Sequence, residues 1–198
     1  MSERKEESFA AELARSLADC PIEERKMVFV GVLNRHLPRR REAILVGGSL
    51  VEFYTSRAYV SGDVDLIGDR DAILELLTAA RFERTGRVFV QEELALVADV
   101  VGSTLRPWER VRHFEIRGYR VPAVTPEDAI VDRLLADKFW DSRTDWEQAV
   151  LLLGALEGRL DMAVLEENAR ANNVADRLSD IISQVATGRS PSRTKVLR

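Results

Sequence analysis

The stretch that decides the fold is residues 44–67: Ile44-Leu45-Val46-Gly47-Gly48-Ser49, then Leu50 to Gly62, then Asp63-Val64-Asp65-Leu66-Ile67. Ala43 to Val46 is a short apolar run that stops at two glycines, which predicts a buried strand and a turn. Ser49 to Tyr54 then predicts a helix with Ser49 near its N-cap. Val64 to Ile67 predicts a second short strand. Glycines let a backbone approach a phosphate closely, and a helix N-terminus offers unpaired N–H groups and a favourable dipole. The Ser49 hydroxyl can add a donor. No Gly-Lys-Ser/Thr follows, so the turn is not a Walker A loop.

Asp63-Val64-Asp65 sets two carboxylates two residues apart, and on a strand such residues share one face. Like charges held side by side are unfavourable without a cation between them. Mg²⁺ suits the position because it takes oxygen ligands and shares its shell with substrate phosphates. Further along, Leu94 to Val101 is a nearly unbroken apolar run, which predicts a central strand. Asp99 interrupts it, and a carboxylate inside a buried strand is costly without a metal, an ionic partner or a strong hydrogen bond. If that strand neighbours the Asp63 strand, Asp99 reaches the same ions.

Outward from this centre, Phe9 to Leu17 and Ile22 to Leu33 carry apolar residues at helical spacing, with Pro21 opening the second helix. Arg35 to Arg41 is a basic linker broken by Pro38. Asp71 to Ala80 predicts an amphipathic helix, with Asp69 and Asp71 as caps. His113 to Val121 alternates around Gly118 and predicts a strand or hairpin. Thr125-Pro126-Glu127-Asp128 is a helix-start signature, with a Thr cap, proline at the first helical position and acids in the first turn. From there to Thr187 the pattern is helical, with turns near Gly158 and Asn172-Asn173. The division is therefore a mixed core with N-terminal helices (1–124), a helical region (125–187) and a Ser/Arg-rich flexible tail (188–198). The fold class is α+β, a mixed β-sheet with flanking helices followed by a helical C-terminal half.

The bulk numbers set limits on the partners. The 198 residues allow one domain or one with a helical appendage. With 45% hydrophobic and 31% charged residues, the balance is that of a globular chain. A net charge of −4 restricts any nucleic-acid contact to a local patch. The single cysteine, Cys20, excludes an internal disulfide and reads as a buried small hydrophobe in a reducing compartment. Met1 to Glu7 is too polar for a signal peptide, and no apolar run nears the roughly 20 residues that span a bilayer. The expectation is a cytoplasmic protein with no membrane partner.

Gly-Ser, a spacer, Asp-x-Asp and a third Asp on a later strand resemble the signature of the DNA polymerase β-like nucleotidyltransferase superfamily. Residues 44–67 look most like its AbiEii-type toxin and minimal nucleotidyltransferase branches. Val121-Pro122-Ala123-Val124-Thr125-Pro126-Glu127-Asp128-Ala129-Ile130 is similar to the strand-to-helix segment that follows the catalytic sheet there. The resemblance runs from Ala43 to about Ala149. It implies transfer of an NMP from an NTP to an acceptor hydroxyl with release of pyrophosphate, assisted by two Mg²⁺ ions. Asp63 and Asp65 would hold both ions. Asp99 would bind the acceptor-side ion and help take the proton. Gly47, Gly48 and Ser49 would meet the nucleotide.

The related toxins carry a lysine on the helix after the Pro-Glu segment. The matching residue here is Arg133, a planar fork and not a point charge, with Lys138 and Asp141 as alternatives. The implied acceptor is tRNA or a cognate partner protein, in a toxin–antitoxin or defence setting. Two other readings stand beside it: a small-molecule nucleotidyltransferase of the aminoglycoside kind, and a non-catalytic antitoxin or scaffold with the same fold. Arg35, His36, Arg39, Arg40 and Arg41 read as a solvated linker or an RNA-backbone contact. Arg106 to Arg120, with five arginines and Trp108, Phe114 and Tyr119, reads equally as a stacking surface for nucleic acid or as a hairpin face. His113 reads as structural or solvated, and Trp140 and Trp146 as packing residues.

Overall fold

In the computed structural model, residues 8–188 are described. The expectations for Met1 to Glu7 and for the tail beyond Gly188 lie outside them. One seven-stranded mixed sheet, in the order β3-β4-β5-β2-β1-β7-β6, organises the chain. Its centre is built from β1 (Ile44–Val46), β2 (Val64–Ile67) and β5 (Leu96–Gly102). Strand β1 pairs antiparallel with β2, and β2 pairs parallel with β5. On the other side of β1 lies β7 (Tyr119–Val124), parallel to it, with β6 (Val111–Ile116) completing a hairpin at the edge. The opposite edge is a second hairpin, β3 (Glu83–Thr85) and β4 (Val88–Gln91), whose strand β4 pairs antiparallel with β5.

Helices α1 (Phe9–Ala18) and α2 (Arg25–His36) precede the sheet. Pro21 does not open α2 as the sequence predicts. It begins a turn in which the Glu24 N–H donates to the Pro21 carbonyl at 3.0 Å, and the helix starts at Arg25. Helix α2 packs on β7 at Gly31, where an added Cβ would lie 2.4 Å from Tyr119 Cβ, so only glycine permits this approach. Phe29, Leu33 and Leu13, all fully buried, belong to the same core as Leu45 and Leu66 of the central strands.

After β1 comes α3 (Gly47–Tyr54), and after β2 comes α4 (Arg70–Ala79), capped by Asp69, which accepts from the Ala72 N–H at 3.1 Å. Ser49 is not the N-cap of α3. Val46 holds that place, and Ser49 lies inside the first turn. Four helices close the chain: α5 (Pro126–Trp140), α6 (Arg143–Ala155), α7 (Met162–Ala171) and α8 (Ala175–Ala186). Thr125 occupies the N-cap of α5, but its hydroxyl makes no capping bond.

The Pro-Glu-Asp segment joins the sheet to these helices. Asp128 is fully buried, and its carboxylate accepts from the Arg110 N–H at 2.6 Å, from Arg110 Nη2 at 2.6 Å and from Asn168 Nδ2 at 2.6 Å. Glu127 accepts the Asp161 N–H at 2.9 Å, at the start of α7. A buried carboxylate with this many donors is a satisfied structural hub. Trp146 is buried, with its indole N–H 3.2 Å from Gln184 Oε1. Trp140 is not a packing residue: it is 81% exposed, because α5 ends there in the left-handed Asp141. No helix among the described residues is long and apolar enough to cross a membrane.

Candidate active site

The end of β1, the first turn of α3, the start of β2 and the middle of β5 meet at one place. Strands β2 and β5 run parallel with Asp65 and Asp99 as Cα partners, and Asp63 lies one residue ahead of β2. One ligand oxygen from each of Asp63, Asp65 and Asp99 lies within 4.8 Å of the others. Asp99 is only 4% exposed. Burial holds the Asp65 carboxyl above its ordinary range and the charge of Asp63 adds to the rise, while the Gly48 N–H and the charge of Arg133 oppose it. Three converging oxygen ligands, one of them strained by its own charge, are the donor set of a hard divalent cation. The residues present therefore fit Mg²⁺.

The glycine turn exists to bring α3 onto Asp65. Gly47 has φ +64°, and a Cβ there would lie 1.9 Å from Asp65 Oδ2. The Gly48 N–H donates to that same oxygen at 3.0 Å. Ser49 donates its hydroxyl to the Asp63 carbonyl, so it fixes the acidic loop from within the helix. Ser61 does the same from the other side: its Oγ lies 3.1 Å from the Asp63 carbonyl and 3.2 Å from Asp63 Oδ1. Behind it, buried Glu52 accepts the Ser61 N–H at 3.0 Å, and Lys26 bridges Glu52 and the Ser61 carbonyl at 2.7 Å each. Asp99 is met by Arg87, whose Nε lies 3.0 Å from Oδ2. Each of the three carboxylates thus has one oxygen engaged by a donor of this chain.

Sequence reasoning named the three aspartates, Gly47, Gly48 and Ser49, and the structure brings all six together. Arg133 lies near enough for its charge to act on Asp65, but its guanidinium is held by Asp145 at 2.7 Å, Asp132 at 2.5 Å and Gln148 at 3.2 Å. Lys138 points elsewhere: its ammonium donates to the Asn173 carbonyl and lies 3.6 Å from Asp176, at the α7–α8 corner. Ser61, Lys26, Glu52 and Arg87 were not singled out by the sequence reading. Ser61 carries a sequence signal in its place two residues before Asp63. The other three meet the site only through long-range pairing.

The arginine-rich stretch is largely occupied by acids of the same chain. Arg106 pairs with Asp132, Arg110 with Asp128 at 2.6 Å, Arg117 with Glu24 at 3.5 Å and Arg120 with Glu42 at 3.5 Å. Arg112 lies over the Phe114 ring at 5.4 Å. Arg35 and His36 are not linker residues: they lie in the last turn of α2 and close on Glu12 at 2.6 and 2.7 Å, while Arg41, beyond the helix, closes on Asp69 at 2.9 Å. His113 Nε2 lies 3.1 Å from Glu42. Cys20 is a buried free thiol whose pKa is pushed up by burial.

No family model matches the chain, and no curated protein sequence matches it. Among solved structures, an antigenic nucleotidyltransferase-like protein from Paracoccidioides brasiliensis is similar, with a TM-score of 0.52 and 15% identity. The alignment covers 81% of this chain and 92% of that one. The seven-stranded mixed sheet, the aspartates on its parallel β2–β5 pair and this likeness agree that the chain has a nucleotidyltransferase-like fold.

Proposed function

We propose that this chain is a Mg²⁺-dependent nucleotidyltransferase that moves an NMP from an NTP to a hydroxyl of a macromolecular acceptor, tRNA or a cognate partner protein. The observation that carries the proposal is the convergence of Asp63, Asp65 and Asp99 within 4.8 Å beside the Gly47–Ser49 turn. A nucleotidyltransferase-like fold alone hosts many functions. A triad in which Asp63 and Asp65 are each fixed by a separate held donor is built for a charged reaction centre.

Asp63 and Asp65 would hold Mg²⁺, with Asp99 as the third ligand. When bound, that ion supplies charge neutralisation on the phosphates and Lewis-acid polarisation of the reacting oxygens. The acceptor oxygen bonds to the α-phosphorus, the bond from that phosphorus to the bridging oxygen of the β-phosphate breaks, and pyrophosphate leaves. Asp99 takes the hydroxyl proton. Gly47 keeps the first turn of α3 close to Asp65, so nucleotide phosphates meet backbone and not a side chain at that point. Arg133, braced by Asp132 and Asp145, adds a fixed positive charge behind Asp65. The region from Pro126 onward, tied to the sheet through Asp128, forms the far wall for the acceptor.

The similarity of residues 44–67 to the toxin and minimal branches supports a toxin–antitoxin or defence setting. Binding tests the nucleotide site directly. Each NTP is titrated calorimetrically into the protein with Mg²⁺ and again with EDTA. The proposal expects binding that needs Mg²⁺ and is lost in Asp63→Ala/Asp65→Ala. Binding that survives both changes contradicts it.

A further inference from the structure

Arg87 belongs to no motif, yet it reaches the centre of the site. It is the second residue of the Gly86-Arg87 turn between β3 and β4. Strand β4 pairs with β5 so that Phe89 faces Ala98, which sets the turn beside Asp99. The resulting ion pair is lopsided. The Arg87 side chain is 80% exposed and the Asp99 side chain 5%, with Nε 3.0 Å from Oδ2.

That asymmetry separates two roles. A residue that orients a ligand is itself held, as Ser61 is by Glu52 and Lys26. Arg87 is on a hairpin turn in solvent, where an ion pair contributes little and breaks readily. Asp99 does not depend on it for placement, since it lies mid-strand between buried Ala98 and Val100. What Arg87 does supply is charge. The guanidinium of Arg133, whose charge acts on Asp65, is by contrast held in place by Asp132 and Asp145. Arg87 is the movable cation.

We propose that Arg87 is a displaceable internal counter-cation, competing with the divalent ion for the Asp99 carboxylate and so setting how readily the site takes up metal. The inference rests on the metal-site reading above. A positive charge within contact distance of a ligand weakens the field a second cation feels. When a divalent ion engages Asp99, the guanidinium is released at the mouth of the site, on a turn that leaves it free to move.

The test is Mn²⁺ binding to the full chain without nucleotide, followed by electron paramagnetic resonance. The proteins are wild type, Arg87→Gln, Arg87→Lys, Asp99→Asn and the Arg87→Gln/Asp99→Asn pair. Arg87→Gln should bind Mn²⁺ roughly two- to fivefold more tightly than wild type, the range of an exposed ion pair. Arg87→Lys should stay near wild type, and Arg87→Gln should have no effect once Asp99 is Asn. Equal or weaker binding by Arg87→Gln overturns the inference and leaves the metal site standing. No Mn²⁺ binding by wild type or by Arg87→Gln overturns the metal-site reading itself.

Discussion

Asp65 and Asp99 are directly opposed on the parallel strands β2 and β5, and Asp63 adds a third carboxylate from the residue before β2. The arrangement costs stability in the protein without metal. Burial first, then the charge of Asp63 and last that of Asp99, hold the Asp65 carboxyl above its ordinary value of 3.8, so its charged form is the disfavoured one in the folded state. At neutral pH, Asp65→Asn removes that charge and can keep the Gly48 N–H bond through its amide oxygen. In EDTA its melting temperature should rise by about 2–4 °C, the shift that ~1 kcal/mol gives in a chain of this size. Transfer activity should vanish in the same variant. A fall in melting temperature would contradict the reading that burial and neighbouring charge disfavour the Asp65 carboxylate.

Gly47→Ala tests the contact between α3 and β2. The new Cβ would need a left-handed backbone and would lie only 1.9 Å from Asp65 Oδ2. Nucleotide transfer should drop by about a hundredfold, the cost of a displacement near 1 Å at a reacting centre. The left-handed backbone costs an alanine about 1–2 kcal/mol, so circular dichroism should still report a folded protein. Wild-type turnover in a folded Gly47→Ala would remove the turn from the site.

Asp128 is predicted to matter for folding and not for chemistry. Asp128→Ala removes a fully buried carboxylate that Arg110 and Asn168 share as acceptor. Because the Arg110 side chain is 44% exposed and can turn to water, the cost is that of lost buried hydrogen bonds, about 2–3 kcal/mol. Urea denaturation measures it. A loss under about 1 kcal/mol would show that the hub is dispensable.

Glu12 gives the fold a pH dependence with a definite sign. Burial alone would raise its carboxyl, but hydrogen bonds from His36 and Tyr119 and the charge of Arg35 outweigh it, so the folded value lies below the ordinary 4.5. The contribution to stability is therefore complete above 4.5 and is lost as pH falls through the lowered folded value. Urea midpoints of wild type and Glu12→Gln should differ most near neutrality and converge in acid. A gap that widens in acid would reverse the assignment.

The site was legible in the sequence where chemistry is local and hidden where it depends on pairing. Gly47-Gly48-Ser49, Asp63-Val64-Asp65 and Asp99 carry their meaning in spacing, and β1, β2, β5 and α5 begin or end within a residue or two of the predicted places. The β3–β4 hairpin was missed because each strand is short and β3 is exposed throughout, although the Gly86 turn was a signal. With it went Arg87, which meets Asp99 only through the β4–β5 register. The basic residue on α5 was beyond periodicity. Arg133 and Lys138 share a helix, and what separates them is the acids each one finds, Asp132 and Asp145 against Asp176. The Arg106–Arg120 stretch shows the same limit: its partners Asp132, Asp128, Glu24 and Glu42 come from three distant segments.

The most direct test of the central claim is transfer of label from NTP to acceptor. Wild type and Asp63→Ala/Asp65→Ala are incubated with Mg²⁺, each of the four α-labelled NTPs in turn, and total cellular RNA with protein extract. The account predicts that label moves to RNA or to protein with wild type alone, which names the base and the acceptor class together. Label that moves equally with both proteins, or no transfer and no nucleotide binding by wild type, would contradict it.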